Sequence, residues 1–93
     1  MLLVEDAADI RELIAESLER WGYQVLVASG AQAALEFARP HPGPIELLLT
    51  DIVMPEMNGL MLAQQLTAIR PEARVLYMTG HALDALGRWR AGS

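Results

Sequence analysis

The sequence predicts an α/β fold, a parallel sheet covered by helices on both faces. Three observations carry this. Four short apolar runs alternate with segments whose apolar residues recur every three or four positions. The runs are apolar throughout rather than alternating with polar residues, which is the pattern of strands buried between two layers. Their order along the chain is βαβαβαβ, the order of a sheet built from crossover units.

The first run is Met1-Leu2-Leu3-Val4, and it meets the acidic pair Glu5-Asp6. Ile10, Leu13, Ile14, Ser17, Leu18 and Trp21 then line one face of a helix. Arg11, Glu12, Glu16, Glu19 and Arg20 fall outside it. Asp6 or Asp9 suits its start and Gly22 its end. Val25-Leu26-Val27-Ala28 is the second strand. Ser29-Gly30 opens an Ala-rich helix running to about Arg39, with Ala34, Leu35 and Ala38 inward. Pro40-His41-Pro42-Gly43-Pro44 can neither continue a helix nor join a central sheet, so it is a loop. Ile45 to Thr50 is the third strand and ends on Asp51. After the irregular Met54-Pro55-Glu56-Met57-Asn58-Gly59, Leu60 to Ile69 forms a third helix, closed by Pro71. Its inward residues are Leu62, Ala63, Leu66 and Ile69. Val75 to Thr79 is the fourth strand, and Ala82, Ala85, Leu86 and Trp89 keep helical spacing in a short tail.

Composition narrows the function. Ninety-three residues make one small domain. With 53% apolar and 20% charged residues the chain is not a disordered tail. It has no cysteine, hence no disulfide framework and no thiolate metal site. A net charge of −5 argues against nucleic acid as a direct partner. No apolar run is long enough to span a membrane and no signal-peptide pattern is present, so a cytoplasmic protein is the expectation. All seven basic residues are Arg, and Lys is absent.

In open parallel sheets ligands bind beyond the carboxyl ends of the strands. Here those ends carry Glu5-Asp6, Asp51 and Thr79. Clustered carboxylates repel one another, and a hard divalent cation such as Mg²⁺ relieves that repulsion. Thr79 and the backbone N–H groups after Asp51 would then hold a phosphoryl group beside the metal.

These residues resemble the receiver domain of response regulators, the phosphoacceptor module of two-component signalling. LLVEDAADIRELIAESLERWGYQV, LLLTDIVMPEMNG and VLYMTG carry the likeness, which runs over residues 1–80. TDIVMPEMNG with YMTG is similar to receivers of hybrid sensor kinases. The resemblance implies a flavodoxin-like, doubly wound parallel sheet. In this chain it would be incomplete: four strands in order 2-1-3-4, three main helices and a short C-terminal helix. It implies that Asp51 accepts a phosphoryl group from a histidine kinase or phosphotransfer domain. Asp6 would bind Mg²⁺ directly with Asp51, Glu5 would act through water, and Val53 would lend its backbone carbonyl. Thr79 would be the switch hydroxyl, and Pro55 and Gly59 would shape the loop beneath. Such a domain is not an enzyme beyond self-phosphorylation and slow autodephosphorylation.

The departures count as well. The family has a fifth strand bearing a Lys and an aromatic switch residue, and neither has a counterpart here. The expectation is a receiver over residues 1–93, truncated before the fifth strand, with 81–93 a divergent tail. The alternative reading is a degenerate receiver that carries no phosphate and acts as a binding or dimerisation module. A phosphatase of the haloacid dehalogenase type also uses a strand-end Asp, but it needs a second Asp where Val53 stands. Without a fifth strand, Val75 to Thr79 would form an open edge, which predicts a homo-oligomer through that strand or a swapped C-terminal segment. Elsewhere Met54, Met57 and Met61 are read as packing the loop, Trp21 and Tyr77 as packing residues, and His41, His81, Arg88 and Arg90 as solvated.

Overall fold

A computed structural model describes residues 1–54 and 57–78. Its elements are β1 (Leu2–Val4), α1 (Ala8–Arg20), β2 (Leu26–Ala28), α2 (Ala31–Ala38), β3 (Leu47–Asp51), α3 (Gly59–Ile69) and β4 (Arg74–Met78). The four strands form one parallel sheet in the order β2-β1-β3-β4. This is the doubly wound, flavodoxin-like arrangement with strand order 2-1-3-4. Leu3 lies between Val27 of β2 and Leu49 of β3, and Leu49 in turn pairs with Leu76 of β4. The expected short C-terminal helix and Thr79 lie outside the described residues.

Alternation along the central strands feeds two cores. Leu2, Val4 and Leu48 pack with Ala34, Leu35 and Ala38 of α2 and Leu62, Ala63 and Leu66 of α3. Leu3, Leu49 and Met78 pack on the other face with Ile14 and Ala15 of α1. Small residues along α2 let that helix lie close to the sheet. The α1 contact follows the row Ile10, Ile14, Leu18, so the neighbouring row that begins at Leu13 turns outward. Leu13 is therefore exposed, and Trp21 is 71% exposed. Both had been expected inside. Ile69 and Tyr77 are exposed as well, Ile69 as the last residue of its helix and Tyr77 on the outermost described strand. Met54 is buried and Met57 packs against the larger core, but Met61 faces solvent.

Element ends also differ from expectation. Val25 and Ile45 precede their strands. Ile45 is buried, but its N–H donates to Glu72 Oε2 at 3.0 Å. Ala7, not an Asp, is the residue before α1, and no side chain caps that helix. The expected stop at Gly22 is present, with φ +94°. The N–H groups of Gly22 and Tyr23 donate to the carbonyls of Glu19 and Leu18, a paired closure that a left-handed glycine permits.

At the amino end of the strands, Arg70 ties the loop after α2 to the turn before β4. Its guanidinium donates to the carbonyls of Ala38 at 2.9 Å and Gly43 at 3.0 Å, and to that of His41. It also lies 3.7 Å from Glu72. The hydrogen bond from Ile45 N–H holds the Glu72 carboxyl below the usual carboxylate range, with Arg70 adding to the effect. No helix among the described residues is long and apolar enough to cross a membrane.

Candidate metal centre

The opposite end of the sheet gathers acids. Val4 pairs with Thr50, so the residues that follow β1 sit beside the last residue of β3. Carboxylate oxygens of Glu5, Asp6 and Asp51 all come within 4.8 Å of one another. Glu5 is buried, Asp51 half-buried and Asp6 exposed, so the cluster opens toward water through Asp6.

Glu5 is held on three sides. Its N–H donates to the Ala28 carbonyl at 3.1 Å. Its carbonyl accepts from Arg11 Nη1 at 2.9 Å. Its Oε1 accepts from Ala7 N–H at 3.1 Å. The remaining oxygen, Oε2, is buried and has no hydrogen-bond partner. Burial, with only 2% of the residue exposed, pushes the Glu5 carboxyl up from its ordinary 4.5 to about 7. The Ala7 N–H opposes that shift, while the neighbouring Asp6 and Asp51 carboxylates reinforce it.

Asp51 is positioned by the turn that leaves β3. Its Oδ1 accepts from Val53 N–H at 3.3 Å. Thr50, fully buried, donates its hydroxyl to the Asp51 carbonyl at 3.0 Å. Gly59 N–H closes the loop onto the Ile52 carbonyl at 2.8 Å. A Cβ at Gly59 would stand 2.2 Å from the Asp51 carbonyl oxygen, so only glycine fits beneath the site. Asn58 then caps α3 by accepting from Met61 N–H at 2.8 Å.

The donor set fits a hard cation. All the candidate ligands are oxygens, and one buried carboxylate oxygen lacks any partner. An unmet buried acceptor costs about 1–3 kcal/mol, more when charged, and a divalent ion with its water shell supplies what is missing. The structure thus brings together Glu5, Asp6 and Asp51 as expected, with Val53 two residues on and exposed. Pro55 and Thr79 lie outside the described residues. Reading the sequence missed Arg11, which had been placed on the outer face of α1, and Thr50. A usable signal for Arg11 exists: helical side chains lean toward the N-terminus, so a long residue one turn into α1 reaches back over the preceding turn.

A doubly wound parallel sheet with an oxygen-only acidic cluster beyond its carboxyl ends is the arrangement expected of a receiver domain. The comparisons agree. The response regulator receiver domain family matches residues 1–88, and the chain belongs to that family. It is 43% identical over 86 residues to the response regulator receiver protein CpdR of Brucella abortus, covering 92% of this chain and 70% of that protein. It is 34% identical over 88 residues to the sensor kinase CckA of the same organism, covering 95% of this chain but 9% of CckA. Among solved structures, the receiver domain of hybrid histidine kinase CckA superposes with a TM-score of 0.79 at 26% identity, covering 97% of this chain and 94% of that one. A response regulator from Burkholderia pseudomallei, solved with a phosphorylated aspartic acid, calcium ion and citrate, gives 0.76 at 32% identity. That match covers 85% of this chain and 45% of the other. Receiver domains bind Mg²⁺ at an acidic site, and Glu5, Asp6 and Asp51 form such a cluster here.

Proposed function

We propose that this chain is a phosphoacceptor, with Asp51 receiving a phosphoryl group from the phosphohistidine of a histidine kinase or phosphotransfer domain. The observation that carries the reading is the Glu5–Asp6–Asp51 cluster with the unpartnered Glu5 Oε2. A carboxylate oxygen of Asp51 forms the new bond to phosphorus as the phosphorus–nitrogen bond breaks. The electron pair of that bond leaves with the imidazole, which takes a proton, and Asp51 becomes an acyl phosphate. Asp6 and Asp51 would hold Mg²⁺ directly, Glu5 would hold it through water, and the Val53 carbonyl would complete the protein's share. The ion, when bound, would supply positive charge to the phosphoryl oxygens. The hydroxyl of Thr79 serves as the switch donor. The phosphorylated aspartic acid and calcium ion of the Burkholderia regulator support the same assignment by likeness.

The second reading is a receiver that binds partners without carrying phosphate. Incubation with acetyl phosphate and Mg²⁺, followed by intact mass, separates the two. A gain of one phosphoryl group that Asp51→Asn abolishes is the expected result. No gain in the wild-type chain leaves the binding module as the function.

The reading extends to self-association. β4 is the outermost strand among the described residues, and its Leu76 is 55% exposed. A second copy pairing along β4 would cover both the edge and that side chain. Light scattering across a dilution series is expected to show a dimer; a monomer at every concentration removes this part.

A further inference from the structure

Arg11 stands outside the acidic cluster but holds the chain that carries two of its members, and its role rests on the metal reading above. Glu5 reaches its buried position with each backbone group satisfied and one carboxylate oxygen already engaged. Only Oε2 is left over, at the cluster. The peptide between Glu5 and Asp6 is therefore the joint on which two of the three acids turn. Its carbonyl is held by one side chain, Arg11, across six residues and from the first turn of α1. Arg11 is half-buried, and the bond is charge-assisted.

We propose that Arg11 is a positioning residue for the divalent-cation site, fixing the Glu5–Asp6 peptide so that both carboxylates are aimed before the ion arrives. Groups that orient ligands without touching the metal commonly set its affinity by tenfold or more. The charge of Arg11 works the other way. A cation beside an acidic cluster repels Mg²⁺, so removing charge alone would tighten binding. The two effects have opposite signs, and this makes the assignment decidable. The orienting effect is the larger because a 2.9 Å charge-assisted bond depends steeply on geometry. The charge, by contrast, acts across an opening lined by the exposed Asp6, where water screens it.

The experiment is a MgCl₂ titration of the whole chain at neutral pH, by calorimetry. It compares wild type with Arg11→Met, which keeps the stem and loses the donors, and Arg11→Lys, which keeps a charge and a donor. Arg11→Met is expected to bind Mg²⁺ about tenfold more weakly, and Arg11→Lys to return within about threefold of wild type. The exchange of Ala7 N–H, held by Glu5 Oε1, is expected to quicken in Arg11→Met alone. If Arg11→Met does not fold, Arg11→Leu, which also lacks donors, takes its place with the same expectation. Unchanged or tighter binding in the folded neutral variant overturns the role of Arg11 and leaves the metal site standing. A wild-type chain that does not bind Mg²⁺ overturns the metal reading, and this inference with it.

Discussion

The two ends of the sheet handle charge in opposite ways. At the amino end, the Arg70 guanidinium meets three backbone carbonyls and the Glu72 carboxylate. Glu72 in turn accepts the Ile45 N–H. At the carboxyl end three carboxylates crowd together, and the nearby Arg11 donates to a backbone carbonyl. The only ion pair among the described residues is at the amino end. The same residue types thus build a clasp at one end and an unmet demand at the other. The difference teaches where stability and function are held apart. The clasp orders the loops at the amino end, and the acidic edge is left short of positive charge that a cation can supply.

The strongest way to break this comparison is to remove the clasp. Arg70→Ala leaves three carbonyls without their shared donor, and hydrogen bonds to charged groups contribute about 1.5–3 kcal/mol each without adding fully. The expected loss is about 3 kcal/mol in urea unfolding, with Mg²⁺ affinity of the folded chain unchanged. Arg70→Lys sharpens the point: it keeps the charge toward Glu72 but not the planar fork, so it is expected to recover only part of the loss. Full recovery would mean that the ion pair, not the carbonyl capture, holds that end.

A smaller effect is expected from Glu5→Gln. The Glu5 carboxyl binds its proton more tightly in the folded chain, at about 7, than at its ordinary 4.5. Its favourable contribution is therefore full below about 4.5 and is lost as pH rises through 7. Without metal, wild-type stability is expected to fall across that window, while Glu5→Gln is flat there and more stable at pH 8. Saturating Mg²⁺ should restore the wild type at pH 8 and stabilise the variant less, through Asp6 and Asp51, which it keeps. Parallel pH profiles of the two chains, read by thermal unfolding, would show that the acidic edge carries no such tension.

Much of this was legible because it is local. Unbroken apolarity in Leu2-Leu3-Val4 and Leu47-Leu48-Leu49 marks buried parallel strands without reference to any neighbour. Chain direction then forces Glu5, Asp6 and Asp51 to one edge. Gly22 declared its left-handed turn by type alone. Gly59 was read as shaping the loop, but the close approach of the Asp51 carbonyl that demands it is a contact across eight positions. Helix rows were less legible: Ile14 and Leu13 are equally apolar, and only the seating of α1 on the sheet chose the Ile10–Ile14–Leu18 row.

The sequence by itself determined the alternation of strands and helices, the edge at which the acids gather and, through its matching motifs, the receiver family. Burial periodicity and chain direction are enough for that, since each depends on residues close in the chain. Tertiary structure decided which charges are answered. It brought Arg70 to carbonyls up to 32 positions away, turned Arg11 back onto the Glu5 carbonyl and left Glu5 Oε2 buried without a partner. Hydrogen-bond partners and desolvation depend on where the packed sheet places distant segments, and no local pattern encodes them.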